Sequence, residues 1–313
     1  MKTQKPKKLK SGDVIGLISP ASSPEDLSRV EKTVAYLEKL GYRVEVGKNV
    51  GKYYGYLAGN DEERLQDFHD MFANKKIKAV FCLRGGYGVP RLLSKIDYRL
   101  VKNNPKLLIG YSDITALQMA LLKKTGLITI AGPMAAVELY KEMPEYSEEN
   151  FWRLVTSSKK LGKIEIPKDQ PLQSVTKGNA KGKIIGGNLA VFVGLMGTEY
   201  LPSFNDTILF FEDIGEVPYR VDRFFSQLTL SKAFKKANGL LLGQFTDCEE
   251  KDAEKRTLTL SNVFDDYLAK IKIPTISNFP NGHVEIKMPI PYGIEAKVNS
   301  EILTVEFLES AVI

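Results

Sequence analysis

Ser112 stands where a serine can attack a carbonyl. Residues 107–117, LLIGYSDITAL, read as an apolar strand running directly into a helix, with Ser112 at the junction. Such a junction holds a hydroxyl at the mouth of a sheet and aims the first N–H groups of the next helix at a developing oxyanion. A helix N-cap serine would give the same pattern. The segment also departs from the hydrolase elbow G-x-S-x-G, because Gly110 is present but Ile114 occupies the place of the second glycine. A second candidate is RGGYG, residues 84–88, whose glycines allow close backbone approach and offer N–H donors. Its spacing is not G-x-G-x-x-G and it follows a third strand, so it is no dinucleotide fingerprint; a tight strand-to-helix turn explains it equally well.

A serine nucleophile needs a base, most often histidine, and the chain has two. His69 lies in ERLQDFHDMF, a charged helical stretch, and is expected on a solvated or half-buried helix face. His283 lies in FPNGHVEIKMPIPYG, where Gly282 frees the backbone and prolines fix it. Loops held in this way often carry functional side chains, although a structural histidine fits there too. The orienting acid would come from FFEDIGE, where Glu212 ends an apolar run. Glu212, Asp213 and Glu216 are alternative metal ligands. With one nearby histidine and neither H-x-x-x-H nor D-x-D, that chemistry is disfavoured and no metal is expected.

These residues need elements to place them. Between residues 13 and 133 short β-branched runs alternate with amphipathic stretches. The run DVIGLISPAS is followed by a helix expected to start at Ser23–Pro24–Asp26 and to stop at Gly41. Strands are expected at YRVEVGK, KAVFCLRGG, LLIGYS and LITIAGP, with helices over residues 61–73, from about 89, and over 113–124. This alternation predicts an α/β fold with a doubly wound, flavodoxin- or Rossmann-like parallel sheet over residues 1–160, including a helix at about 147–157. Ligands of such sheets bind at the carboxyl ends of the strands, where Arg84–Gly88 and Ser112 fall. Residues 161–175 read as a linker. Residues 176–313 predict a smaller β-rich α/β domain. Its strand-like runs are GKIIGGNLAVFVGLMG, TILFFEDIG, NGLLLGQF and ILTVEFLE, with helices at about 218–228 and 261–271.

Composition narrows the partners. The 313 residues carry 44 Lys plus Arg and 38 Asp plus Glu, but five of the six net positive charges sit in residues 1–10, MKTQKPKKLK. That segment is expected to be a solvated tail dispensable for activity, and no aromatic-interleaved basic patch suggests a nucleic acid. No apolar run follows the lysines, and none is long enough for a membrane span. Two cysteines without metal-ligand spacing fit a reducing, cytoplasmic compartment.

In order, the segments GDVIGLISPAS, AGNDEERLQDFHDMF, AVFCLRGGYG, LLIGYSDITAL, GGNL, FFEDIGEVPYRVDR and NGH…PIPYGIEA resemble the LD-carboxypeptidases. These are a serine peptidase family that also includes the microcin C7 self-immunity hydrolases. The resemblance spans nearly the whole chain. It implies Ser112 as nucleophile, His283 as general base, Glu212 as orienting carboxylate, and the N–H groups of Gly86 and Asp113 as oxyanion hole. It implies no metal or organic cofactor, a homodimer, and an active site in a cleft between a nucleophile domain and a smaller β-rich domain that supplies Glu212 and His283. The implied activity is release of terminal D-alanine from the L,D bond of a muropeptide tetrapeptide in cell-wall recycling. Arg84 and Arg220, by position only, are candidates to bind the terminal carboxylate. Within the same family, a microcin-immunity hydrolase would cleave an aminoacyl-nucleotide conjugate and stack its adenine on an aromatic residue of a longer loop. The only tryptophan, Trp152, falls in a predicted helix, and the segment between GGNL and FFEDIGE is short; both favour the carboxypeptidase. A non-catalytic small-ligand-binding protein would keep RGGYG but have no use for Ser112, Glu212 and His283 together.

Overall fold

The computed structural model describes residues 2–313. Five short strands build a parallel sheet: β1 (Val14–Ile18), β2 (Arg43–Val46), β3 (Ile77–Cys82), β4 (Leu107–Gly110) and β5 (Thr129–Ala131). Every side chain of β1 and β4 is buried, as a sheet covered on both faces by helices requires. The order β2-β1-β3-β4-β5 is the flavodoxin-type doubly wound arrangement. Its direction of winding reverses between β1 and β3, which opens a crevice beyond their carboxyl ends, where the loops after β1 and β3 meet.

The second sheet has eight strands. At its centre β8 (Asn179–Asn188), β9 (Thr207–Ile214), β10 (Gly239–Thr246) and β11 (Thr275–Ser277) run parallel. On the β8 side lie antiparallel β13 (Glu295–Asn299), β14 (Thr304–Phe307) and β6 (Gly162–Lys163); on the β11 side lies β7 (Gln173–Thr176). β6 and β7 come from the stretch around the expected linker, whose two ends are therefore paired into this sheet. β12 (Ile290–Tyr292) crosses back and adds an antiparallel strand to β5 of the first sheet. The chain thus returns to the nucleophile-bearing sheet after leaving it, and the boundary between the halves is not a single cut in sequence.

The helices are α1 (Ser28–Lys39), α2 (Asp61–Ala73), α3 (Tyr98–Asn103), α4 (Ile114–Thr125), α5 (Glu145–Thr156), α6 (Leu189–Gly194), α7 (Pro218–Leu230), α8 (Ala233–Lys236) and α9 (Leu260–Leu268). Two start later than expected. The Ser23–Pro24–Asp26 signal does not cap α1; the Asp26 carboxylate accepts the Ser28 N–H in a local turn, and α1 begins there. The region after Gly88 forms two 3-10 turns, Val89–Arg91 and Leu93–Lys95, before α3. The apolar run expected as one long strand from residue 182 is broken at Asn188, whose side chain accepts the Val191 N–H and turns the chain into α6.

α4 is the helix that joins the halves. Ten of its twelve residues are buried. Thr115 Oγ1 accepts the N–H of Asn188 at 3.1 Å, so β8 of the second sheet grips the first turn of α4. Gly187 makes that contact possible, since a Cβ there would lie 2.5 Å from Thr115 Oγ1. The GGNL segment is therefore a packing device that brings the end of β8 onto the helix following Ser112.

Candidate active site

Ser112 lies between β4 and α4 with φ +62°, a left-handed conformation that is costly for a residue with a Cβ. It is not the helix cap. The N-cap position is Asp113, which makes no side-chain cap bond and whose carboxylate instead accepts the Val89 N–H at 2.8 Å. Among the described residues the Ser112 hydroxyl has no hydrogen-bond partner, and it lines a cleft of about 420 Å³ with Arg84, Gly85, Gly86, Tyr111 and His283. Burial pushes the Asp113 carboxyl up to about 6, against the N–H groups of Val89 and Gly88 and the Arg64 charge, which lower it.

The glycine turn after β3 closes over the serine. A Cβ on Gly85 would stand 2.9 Å from Ser112 Cβ, so only glycine allows this approach. Ser22 N–H donates to Gly85 O at 3.1 Å, and Tyr87 N–H donates to Ser22 Oγ at 3.2 Å, which pins the turn to the loop after β1. The N–H groups of Gly86 and Asp113 donate to no acceptor among the described residues. Two free donors thus flank a free hydroxyl.

Glu212 sits near the end of β9, paired in register with Asn188 of β8. It is 2% exposed, and its Oε2 lies 2.8 Å from His283 Nδ1. Its Oε1 is buried without a partner, so the histidine is the acid's one directed contact. The imidazole also stands edge-to-face against the Tyr111 ring, with centroids 5.0 Å apart. Thr246 Oγ1–H donates to His283 O and ties the loop to β10.

The other two acids of FFEDIGE face elsewhere. Asp213 accepts from Asn188 Nδ2 at 2.8 Å and from Ala190 N–H at 2.9 Å, and so holds the start of α6. Burial, and then the charge of Glu212, push its carboxyl up to about 7. Glu216 pairs with Arg220. Among the described residues no group of three or more His, Cys, Asp or Glu is arranged to hold a metal ion. His69 accepts the Asp97 N–H at 3.0 Å on the half-buried face of α2 and takes no part in the cleft.

Of the two arginines proposed from position, Arg84 lines the cleft, donating to Ser23 O and pairing with the exposed Glu25. Arg220 does not; it is exposed on the first turn of α7. Arg29 stands on the cleft wall instead, its guanidinium 4.8 Å from the centroid of the Tyr140 ring. Nothing in the sequence marks Arg29 out, because it is one charged residue on the face of an amphipathic helix. Trp152 is packed away from the cleft, stacked on Tyr42 and donating to Tyr36 Oη.

A hydroxyl on strained backbone, two open amide donors and an imidazole held by a buried carboxylate are together competent for acyl transfer through a covalent intermediate.

Comparison with known proteins finds relatives among peptidases. Residues 15–132 match the LD-carboxypeptidase N-terminal domain and residues 181–298 the LD-carboxypeptidase C-terminal domain. A probable murein peptide carboxypeptidase of Bacillus subtilis is 36% identical over 95% of this chain and 92% of its own. Among solved structures, the wild-type microcin C7 self-immunity protein superposes with a TM-score of 0.89 at 28% identity, covering 99% of this chain and 100% of that one. The muramoyltetrapeptide carboxypeptidase of Oxalobacter formigenes gives 0.81 at 29% identity, over 94% and 97%.

Proposed function

The chain belongs to the LD-carboxypeptidase family of serine peptidases, and on that premise we propose that it releases the terminal D-alanine from peptidoglycan-derived tetrapeptides with Ser112, His283 and Glu212 as its triad. The observation that carries the proposal is the shared cleft: the unpartnered Ser112 hydroxyl and the Glu212-held His283 line it together, although they are 171 positions apart in sequence. Ser112 Oγ attacks the carbonyl of the L-residue while His283 Nε2 takes its proton. The carbonyl oxygen becomes an oxyanion on the N–H groups of Gly86 and Asp113, each donor contributing roughly 3–4 kcal/mol. Glu212 fixes the tautomer that leaves Nε2 free and stabilises the imidazolium. His283 then gives its proton to the departing D-alanine amine, leaving an acyl-Ser112. Water, deprotonated by the same histidine, releases the tripeptide. Arg84 and Arg29 are the cations on the cleft wall that suit the free terminal carboxylate. The proposal includes the cytoplasmic location and homodimeric state that the family resemblance implies, with no metal or organic cofactor.

Microcin-immunity-type hydrolysis of an aminoacyl-nucleotide is the second reading, favoured by the higher TM-score to that relative. The burial of Trp152 against Tyr42 and Tyr36 weighs against it, since the one tryptophan is not available to stack on a base in the cleft. Mass spectrometry of products from defined muropeptides and from an aminoacyl-nucleotide conjugate, with wild type and Ser112→Ala side by side, decides between them. Loss of one D-alanine from the tetrapeptide, reduced at least about 1,000-fold in Ser112→Ala, is the expected result. Faster cleavage of the conjugate would overturn the substrate assignment.

A further inference from the structure

We propose that Glu138 and Lys287 form a positioning pair that sets the placement of His283 relative to Ser112; this rests on the triad assignment above. The two triad residues come from different halves of the chain, and the His283 loop carries little regular structure of its own. Something must fix it against the first sheet. Lys287, four residues after His283, is 5% exposed, and its Nζ lies 2.7 Å from Glu138 Oε1 and 3.2 Å from Tyr111 Oη. Tyr111, the residue before Ser112, donates its hydroxyl to the same Glu138 Oε1 at 2.7 Å. Its ring carries the Lys287 ammonium 4.3 Å from the centroid and meets the His283 imidazole edge-on.

Glu138 is itself anchored. It belongs to the π-helical turn Ala135–Leu139 that follows β5, and its Oε2 accepts the Met134 N–H at 2.8 Å. Ala136 N–H of that turn donates to Leu83 O at 2.8 Å, the residue that leads into the glycine turn. On the far side, Lys287 N–H donates to Ser147 Oγ at 2.8 Å, which fastens the loop to α5. The pair therefore joins the three segments that carry the nucleophile, the base and the oxyanion donors.

Apolar packing could fill this space, but it would not fix direction. A buried ion pair adds little to stability over well-packed apolar residues, and one of its attested uses is to specify a register. Here the register is that of the His283 loop against the end of β4.

The test uses the full chain and four variants: Glu138→Gln, Lys287→Met, the double Glu138→Gln/Lys287→Met, and Tyr111→Phe. Read-outs are Tm, kcat and KM on a defined tetrapeptide, and the rate at which a fluorophosphonate labels Ser112. The single-charge variants should lose Tm, because Glu138→Gln strands the buried Lys287 ammonium and Lys287→Met leaves the half-buried Glu138 carboxylate without its cation. The double variant should recover Tm but keep a kcat 10- to 100-fold low, with KM within threefold and labelling slowed in parallel. A double variant with wild-type Tm and wild-type kcat overturns the inference and leaves the triad intact. Tyr111→Phe keeps both charges and removes only the shared hydroxyl. It should lower kcat at least threefold at unchanged KM, and an unchanged kcat counts against the pair even where the double variant fails to fold. Turnover that survives in Ser112→Ala would overturn the triad itself.

Discussion

At the scale of single residues, Glu212 carries the sharpest expectation. It is buried, one oxygen holds His283 Nδ1, and the other has no partner. Glu212→Gln keeps the volume but replaces a charge with an amide that can stabilise an imidazolium only weakly. Its NH2 group must face either the imidazole N–H or a space with no acceptor. Steady-state kinetics should show kcat lowered by about 10²–10⁴ with KM little changed, following the role of the orienting acid in serine triads. A variant within threefold of wild type would show that Glu212 packs the histidine without electrostatic consequence. His283, the base proposed here, could be picked out in the sequence because histidine is scarce and His69 falls in a charged helical stretch. Glu138 and Lys287 were not legible. They are 149 positions apart, each is an ordinary charged residue in its own segment, and only the tertiary fold makes them a pair.

At the scale of elements, periodicity located the strands of the first sheet and the helices that cover it, while polar side chains decided where they stop. Asn188 and Asp213 show this best. The apolar run from residue 182, GKIIGGNLAVFVGLMG, looks like one continuous strand, but Asn188 caps α6 and Asp213, a strand away, accepts from Asn188 Nδ2 and Ala190 N–H. That contact is invisible in sequence because it depends on β8 and β9 lying side by side. The burial of Asp213, and then the charge of Glu212, outweigh these hydrogen bonds and make stability depend on pH. The folded-state pKa of Asp213, about 7, lies above the ordinary 3.8, so the folded chain binds this proton more tightly than the unfolded one. The resulting stabilisation is fully present below about pH 4 and is lost as pH rises through about 7, on the order of a few kcal/mol. Asp213→Asn removes the titration at the cost of one acceptor. The difference in unfolding free energy between wild type and variant, measured by denaturant titration from pH 4.5 to 8.5, should shrink as pH rises. A difference constant across that range would show that Asp213 is ionised throughout.

At the scale of the whole molecule, the chain ends hold the two halves together, and here charge counting misleads. The lysines of residues 2–10 suggest a solvated arm, yet the backbone beneath them is docked. Gln4 N–H donates to Gly126 O and Ile128 N–H to Gln4 O, so the arm lies beside the chain entering β5. Lys8 N–H donates to Ile313 O, Ile313 N–H donates to Pro6 O, and Leu9 N–H donates to Val155 O at the end of α5. Leu9 is 1% exposed, and Lys5 pairs with Glu309. The lysine ammonium groups reach water while the main chain closes the molecule, so the positive charge marks the outer face of a structural strap. Because the strap braces β5, and β5 also carries β12 on its edge, it supports the side of the sheet from which the His283 half returns. Removal of residues 2–10 takes away these five long-range backbone hydrogen bonds and the burial of Leu9, together worth several kcal/mol. Calorimetry should show Tm lowered by at least roughly 5 °C. Arg84, Ser112 and His283 lose no contact, so kcat measured well below the new Tm should stay within threefold of the parent. An unchanged Tm would mean that the docked arm adds nothing to the fold, and a kcat lost at low temperature would mean that the strap reaches the cleft through β5 and β12.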